Sequence, residues 1–190
     1  MTHASSASDV SSAVQIALSM LDTPSVTVVG HSLGGAIALL DGVYLSLSLP
    51  QSVSVRVVTY GMPRVGNKAF ADFVDSTLSG LVTHVNNRED PIPTVPGIGL
   101  GFHHPSGEIH IQDSGTWDVC PGVFSFFLRL RVARSIGLCL TIARPYSGQD
   151  NPSKLCIVGD VRNIFEGHLA NHHGPYGTPD AGINMGCSGL

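Results

Sequence analysis

The run "SVTVVG" at 25–30, the pentapeptide Gly30-His31-Ser32-Leu33-Gly34 and the apolar stretch that follows constrain this chain more than any other feature. A short β-branched run without polar alternation reads as a strand of a parallel sheet covered on both faces. Residues 33–48 read as a helix that is apolar nearly all round, and therefore buried. The pentapeptide between them fits G-x-S-x-G, in which a serine stands on a strained strand-to-helix turn with its hydroxyl exposed at the carboxyl end of the sheet. Glycine at each flank lets neighbouring backbone approach without a clashing side chain. The N–H of Leu33 would point at a developing oxyanion, and the helix N-terminus adds positive potential there.

The same alternation continues on both sides. "DVSSAVQIALSML" (9–21) places Val10, Val14, Ala17, Leu18 and Leu21 at helical spacing, and Pro24 follows. "VSVRVVTYG" (53–61) is a second strand, "GNKAFADFVDSTL" (66–78) an amphipathic helix carrying Ala69, Phe70, Phe73 and Val74, and "LVTHVNN" (81–87) a third strand. Strands alternating with helices predict an α/β fold with a parallel sheet. After Asp90 the chain turns to Pro- and Gly-rich loops, with one more strand in "HPSGEIHI". At 190 residues, 43% hydrophobic and 13% charged, it has the material for one domain, 1–190, with a sizeable core. A net charge of -4 argues against nucleic acid as a partner.

A serine hydroxyl is a weak nucleophile at neutral pH, so Ser32 needs a base and an acid to orient it, in the chain order Ser, Asp or Glu, His. Asp90 follows the third strand and precedes Pro91; Glu89 is its neighbouring rival and Asp160 a weaker one. His168, His172 and His173 crowd the C-terminal part, and spacing does not choose among them. His31, His103, His104 and His110 fit the order badly; His103, His104 and His110 lack the carboxylate or cysteine spacing of a metal site. Cys120, Cys139, Cys156 and Cys187 match no zinc pattern. Residues 1–15 show neither a basic start nor an apolar core of a signal peptide, which by itself favours an intracellular protein.

Five stretches in order, "VTVVGHSLGGAIALL", "TYGMPRVGN", "NNREDPIPTVP", "GFHHPSGEIHI" and "NHHGPYG", resemble the fungal class 3 lipases across residues 7–122 and 149–187. The resemblance implies an α/β-hydrolase fold, secretion, no cofactor, no metal and a monomer acting on acylglycerol esters at a lipid–water interface. It singles out His172 as the base, giving Ser32, Asp90 and His172 as the catalytic set and the Leu33 N–H as an oxyanion donor; Asn171 stands where the family has Asp. It also implies a disulfide between Cys120 and Cys156, and leaves Cys187 unpaired and Cys139 without an assigned partner. The family's signal peptide, first strands, lid and second oxyanion donor would lie upstream of the position of Met1. The expectation is then an oxyanion hole short of one donor, a loss of about 2.7–4 kcal/mol, with an uncovered sheet edge and exposed apolar helix faces.

Residues 123–148, "VFSFFLRLRVARSIGLCLTIARPYSG", interrupt the resemblance with three Phe, four Arg and no acidic residue. Arg129, Arg131 and Arg134 mid-span speak against a transmembrane helix. A basic surface helix is one reading. A retained intron read through in frame is the other, since removing the segment joins "TWDVCPG" to "QDNPSKLC". Two alternatives to a lipase stay open: a carboxylesterase or feruloyl esterase on the same scaffold, and an impaired product of a faulty gene model.

Overall fold

The computed structural model describes residues 2–120 and 150–177, with side chains from residue 6 onward. Its order is α1 (Thr2–Leu21), β1 (Ser25–His31), α2 (Leu33–Ser48), β2 (Ser54–Tyr60), β3 (Gly66–Asn67), α3 (Lys68–Leu78), β4 (Val82–Asn87), β5 (Phe102–His103), β6 (Glu108–Ile111), β7 (Trp117–Val119) and α4 (Ile157–Asp160). The main sheet runs β1-β2-β4-β6-β7; β3 and β5 form a separate pair. The first four strands are parallel and β7 is antiparallel. This is the α/β architecture expected from the alternating pattern. The insert at 123–148, Cys139 and Cys187 lie outside the described residues. Among the described residues no helix is long and apolar enough to cross a membrane.

Strand order advances in one direction from β1 to β4, so right-handed crossovers put α2 and α3 on the same face of the sheet. There Leu39, Val43 and Leu45 of α2 and Val74 and Leu78 of α3 pack with Val55, Val57 and Val82, with Val26 and Val28 alongside. The opposite face of β1 and β2 carries Thr27, Val29 and Arg56, all exposed. This corrects the expectation that β1 is covered on both faces: it is an edge strand of the described sheet, and Val29 is 58% exposed. The helix readings are corrected too. α2 buries one side only, leaving Leu33, Tyr44 and Leu47 in solvent. In α1 the inward stripe is Ala7, Ser11, Val14 and Leu18, a 4-3-4 spacing that leaves Ala17 and Leu21 outside. In α3 it is Ala71, Val74 and Leu78, while Phe73 points out. The Asn67 carboxamide caps α3 by accepting from the Phe70 N–H at 3.0 Å.

Beyond Val82 the helix-covered face changes character. Register pairs His84 with Glu108 and Asn86 with His110, and all four side chains are buried. Loops, rich in carbonyls, and the single turn of α4 cover this part instead of long helices, and the buried rings serve as donors to the loops. His84 Nε2 donates to Pro105 O, His104 Nε2 to Pro93 O and His110 Nε2 to Arg88 O. The His84 and His104 rings stack at 4.8 Å, and burial holds both at a pKa of about 3, so they stay neutral. Arg64 donates to the carbonyls of Thr94 and Pro96 and to Asp150 Oδ1, whose other oxygen takes His103 Nδ1 and the His104 N–H. Cys120 and Cys156 are joined in a disulfide, as the resemblance implied.

Glu108 sits under that disulfide, its Oε1 accepting the Ile157 N–H at 2.7 Å, and burial pushes its pKa up to about 7. A carboxyl whose pKa is higher folded than unfolded contributes stability at low pH that is lost as pH rises through the folded value. Glu108's own contribution to stability is therefore expected to fall between pH 4.5 and 7, against the opposite contribution of His84 and His104, whose folded values are depressed. Glu108→Gln keeps the acceptor and removes the charge. Its advantage over wild type should grow across that range and reach about 3 kcal/mol at pH 8.5. Urea unfolding at pH 5 and 8.5 checks this, and an unchanged pH slope in the variant would refute it.

Candidate active site

Ser32 stands between β1 and α2 with φ 56° and ψ -131°, a conformation that costs a non-glycine residue about 1–3 kcal/mol. The surroundings enforce it. The Ser32 N–H donates to Tyr60 O at the end of β2, and the Ser32 carbonyl accepts from the Gly35 and Ala36 amides that begin α2. Leu33 is the first residue of α2, so its N–H belongs to the amides at a helix N-terminus that lack an intrahelical acceptor.

Only one of the two motif glycines is there for space. A Cβ at Gly30 would lie 2.2 Å from Gly34 O, whereas a Cβ at Gly34 would meet nothing within 4 Å among the described residues. The expectation that both flanks need glycine for close approach is thus corrected at Gly34. Gly30→Ala should cost about 3 kcal/mol or more, because backbone rather than a side chain must move. Gly34→Ala should raise stability by about 0.5–1 kcal/mol through helix propensity. Thermal unfolding of the two variants separates them; equal losses would sink the distinction.

Asp90 lies just past β4, fully buried, its Oδ1 accepting the Ile92 N–H at 2.9 Å. Its other oxygen meets His172, which sits in the 3-10 turn Leu169–His173 and is 6% exposed. His172 Nδ1 donates to Asp90 Oδ2 at 2.8 Å, and Ser32 Oγ donates to His172 Nε2 at 2.7 Å. An acceptor at Nδ1 fixes the tautomer that leaves Nε2 free to take a proton. Burial pushes the Asp90 carboxyl above its usual range, while the bonds from His172 and Ile92 pull the other way.

The rival residues go elsewhere. Glu89 pairs with His168 at 3.1 Å on the surface, Asp160 lies 3.7 Å from His110, and His173 touches His172 only ring to ring at 5.8 Å. His103, His104 and His110 are each engaged with the loop partners given above rather than with a common centre. The close group Glu108, Cys120 and Cys156 has its two sulfurs bonded to each other.

Four residues of the site were not legible as such. His31 Nε2 and the Tyr176 hydroxyl both donate to the carbonyl of His172, at 2.7 and 3.0 Å. Asn87 Nδ2 donates to the Asn171 carbonyl at 2.8 Å, tying the neighbouring turn residue to β4. Gly61 has φ +54°, and a Cβ there would strike Tyr176, Asp90 and His172 together. All four stood in quoted motifs, but nothing in a motif says which backbone atom a ring will reach.

The family model for class 3 lipases matches residues 2–100. Among curated proteins, the secreted mono- and diacylglycerol lipase MDL2 of Malassezia globosa is 41% identical over 111 residues, 57% of this chain and 36% of that protein. The secreted mono- and diacylglycerol lipase LIP1 of the same organism is 30% identical over 161 residues, 85% of this chain and 43% of the other. Among solved structures, lipase II from Rhizopus niveus superposes with a TM-score of 0.66 at 29% identity, over 90% of this chain and 54% of that one. The lipase from Rhizopus microsporus var. chinensis gives 0.62 at 26% identity, over 93% and 52%. The architecture is the α/β-hydrolase fold. The chain spans roughly a third of the length of the curated relatives it matches over 111 to 114 residues, at 36% and 37%.

Proposed function

Because this chain belongs to the class 3 lipase family, we propose that it is the catalytic part of a secreted carboxylic ester hydrolase acting on acylglycerols. The observation that carries the reading is the hydrogen-bonded line Ser32–His172–Asp90, drawn from positions 82 and 140 residues apart in sequence. The substrate class rests on relatives named as mono- and diacylglycerol lipases, and secretion rests on the same names.

Ser32 Oγ attacks the ester carbonyl as its proton passes to His172 Nε2. Asp90, accepting from Nδ1, holds the ring in place and stabilises the imidazolium that forms. The carbonyl oxygen becomes an oxyanion and takes a hydrogen bond from the Leu33 N–H at the start of α2. On collapse the ester C–O bond breaks, and His172 returns the proton to the departing alcohol oxygen. Water then attacks the acyl-Ser32 ester with His172 again as base, releasing the fatty acid and restoring the hydroxyl. The buried Asp90 and nearly buried His172 make this charge separation less screened than at an open surface.

A p-nitrophenyl alkylphosphonate tests the reading directly. One equivalent of p-nitrophenol should be released, with the phosphonyl mass on the peptide containing Ser32. Label on another residue, or none, would overturn it. Hydrolysis of mono-, di- and triacylglycerols beside p-nitrophenyl butyrate and methyl ferulate then assigns the ester class.

A further inference from the structure

We propose that His31 is a positioning residue for the general base, holding the backbone of His172 through the hydrogen bond from its Nε2–H to the His172 carbonyl. The inference rests on the reading of Ser32, His172 and Asp90 given above. Those three residues align the imidazole by its two nitrogens, but neither bond holds the main chain that carries the ring. His172 belongs to a short 3-10 turn beyond the last described strand, the kind of segment whose position depends on what ties it down.

Asn87 ties the neighbouring Asn171 to β4 and the His168 N–H bonds the Glu89 carbonyl; the tie at the base itself is the carbonyl of His172. It has two lone pairs and receives two donors, His31 Nε2 at 2.7 Å and the Tyr176 hydroxyl at 3.0 Å. A carbonyl only accepts, so His31 must carry its proton on Nε2. Tyr176 is 1% exposed, and burial with the nearby Asp90 charge pushes its phenol far above the usual range, so it remains a donor. The His31 ring also packs against the His172 ring with centroids 4.7 Å apart, and edge-on to Tyr176 at 5.8 Å.

The two donors are not equivalent. Tyr176 lies four residues past His172 and moves with the same loop. His31 comes from the end of β1, directly before Ser32, 141 residues away from the carbonyl it binds. It therefore couples the base to the element that carries the nucleophile. If the elbow shifts, the backbone of the base shifts with it, and the Ser32–His172 distance is kept. The variable position before the serine in G-x-S-x-G here has a mechanical use that the motif itself does not state.

The test compares His31→Leu, His31→Gln and Tyr176→Phe in the full chain, with p-nitrophenyl butyrate as substrate. Glutamine places an amide N–H close to where Nε2 stands; leucine keeps bulk and loses the donor. His31→Leu should lower kcat about 10²-fold with KM little changed, the effect of misplacing a reacting group by about an ångström. His31→Gln should recover most of that loss. The double variant with Tyr176→Phe should be non-additive, since both donors share one acceptor. The low-field proton resonance of the His172–Asp90 bond should broaden or vanish in His31→Leu and return in His31→Gln. A His31→Leu enzyme with wild-type kcat, or a glutamine variant no better than leucine, would overturn the inference. If the wild-type chain hydrolyses no ester, the reading of Ser32 fails, and the low-field resonance alone then decides whether His31 positions His172. Should His31→Leu fail to fold, His31→Phe, which keeps a ring and lacks the donor, takes its place with the same expected loss, and wild-type kcat in it would overturn the inference.

Discussion

Replacing Ser32 by alanine is expected to lower kcat toward p-nitrophenyl butyrate about 10⁶-fold, the scale on which removal of a nucleophile acts in serine hydrolysis. The structure adds a second expectation. At φ 56° and ψ -131° Ser32 occupies a conformation that suits glycine, so Ser32→Gly should be equally inactive yet more stable than wild type by about 1 kcal/mol. Opposite changes in activity and stability at one position would mark stored strain rather than general damage. Asp90→Asn acts through a different atom. The asparagine N–H would face His172 Nδ1, now 2.8 Å from a carboxylate oxygen, and force the ring proton to Nε2. That nitrogen could no longer accept from Ser32, and kcat should fall about 10⁴-fold. Activity in Ser32→Ala within tenfold of wild type would reject the assignment of the nucleophile. Activity in Asp90→Asn at that level would reject the assignment of the acid.

Local signals carried the main elements because they are local. The strand, elbow and helix around Ser32 are contiguous, and α2 begins and ends at residues 33 and 48 as its apolar run predicts. What the pattern misjudged was cover. "SVTVVG" lacks alternation, yet β1 exposes Val29, because β-branched residues favour strands whether one face or two are packed. Periodicity likewise found α1 and α3 but rotated their inward stripes: Ala7 and Ala71 pack inward where Ala17 and Ala69 were expected, since an alanine's small side chain marks a helix face only weakly. The polar half of the sheet face was illegible. Nothing in the pattern marks His84, Glu108 and His110 as buried, and only the segments folded over them turn them into buried donors and acceptors. In the site, the order Ser, Asp, His restricted the candidates, but the choice among three histidines came from a motif and not from physics. Geometry supplies the reason: His172 alone of them meets Asp90 and Ser32, while His168 turns outward to Glu89.

Gly61→Ala should lower activity about 10³-fold without removing any group that reacts. Gly61 follows β2 with φ +54°, already unfavourable for a side chain, and an added Cβ would sit 2.5 Å from the Tyr176 hydroxyl, 2.8 Å from Asp90 Oδ2 and 2.8 Å from His172 Nδ1. Those last two atoms are the two ends of the hydrogen bond that orients the proposed base. A methyl group has no way to enter without separating them or pushing away the tyrosine that holds the His172 carbonyl. Neither neighbour can yield cheaply, because Asp90 and Tyr176 are both buried. Overpacking and the positive φ together should cost about 2–5 kcal/mol. The loss in kcat should reach about 10³-fold, since the acid and base are displaced together. Gly80→Ala is the matched control: its φ is +80° and a Cβ there meets nothing within 4 Å among the described residues, so it carries the conformational cost alone. Urea unfolding and steady-state kinetics on both variants divide the effect. A Gly61→Ala enzyme that loses stability like Gly80→Ala but keeps its kcat would show that the closeness of Gly61 to the Asp90–His172 bond has no bearing on catalysis.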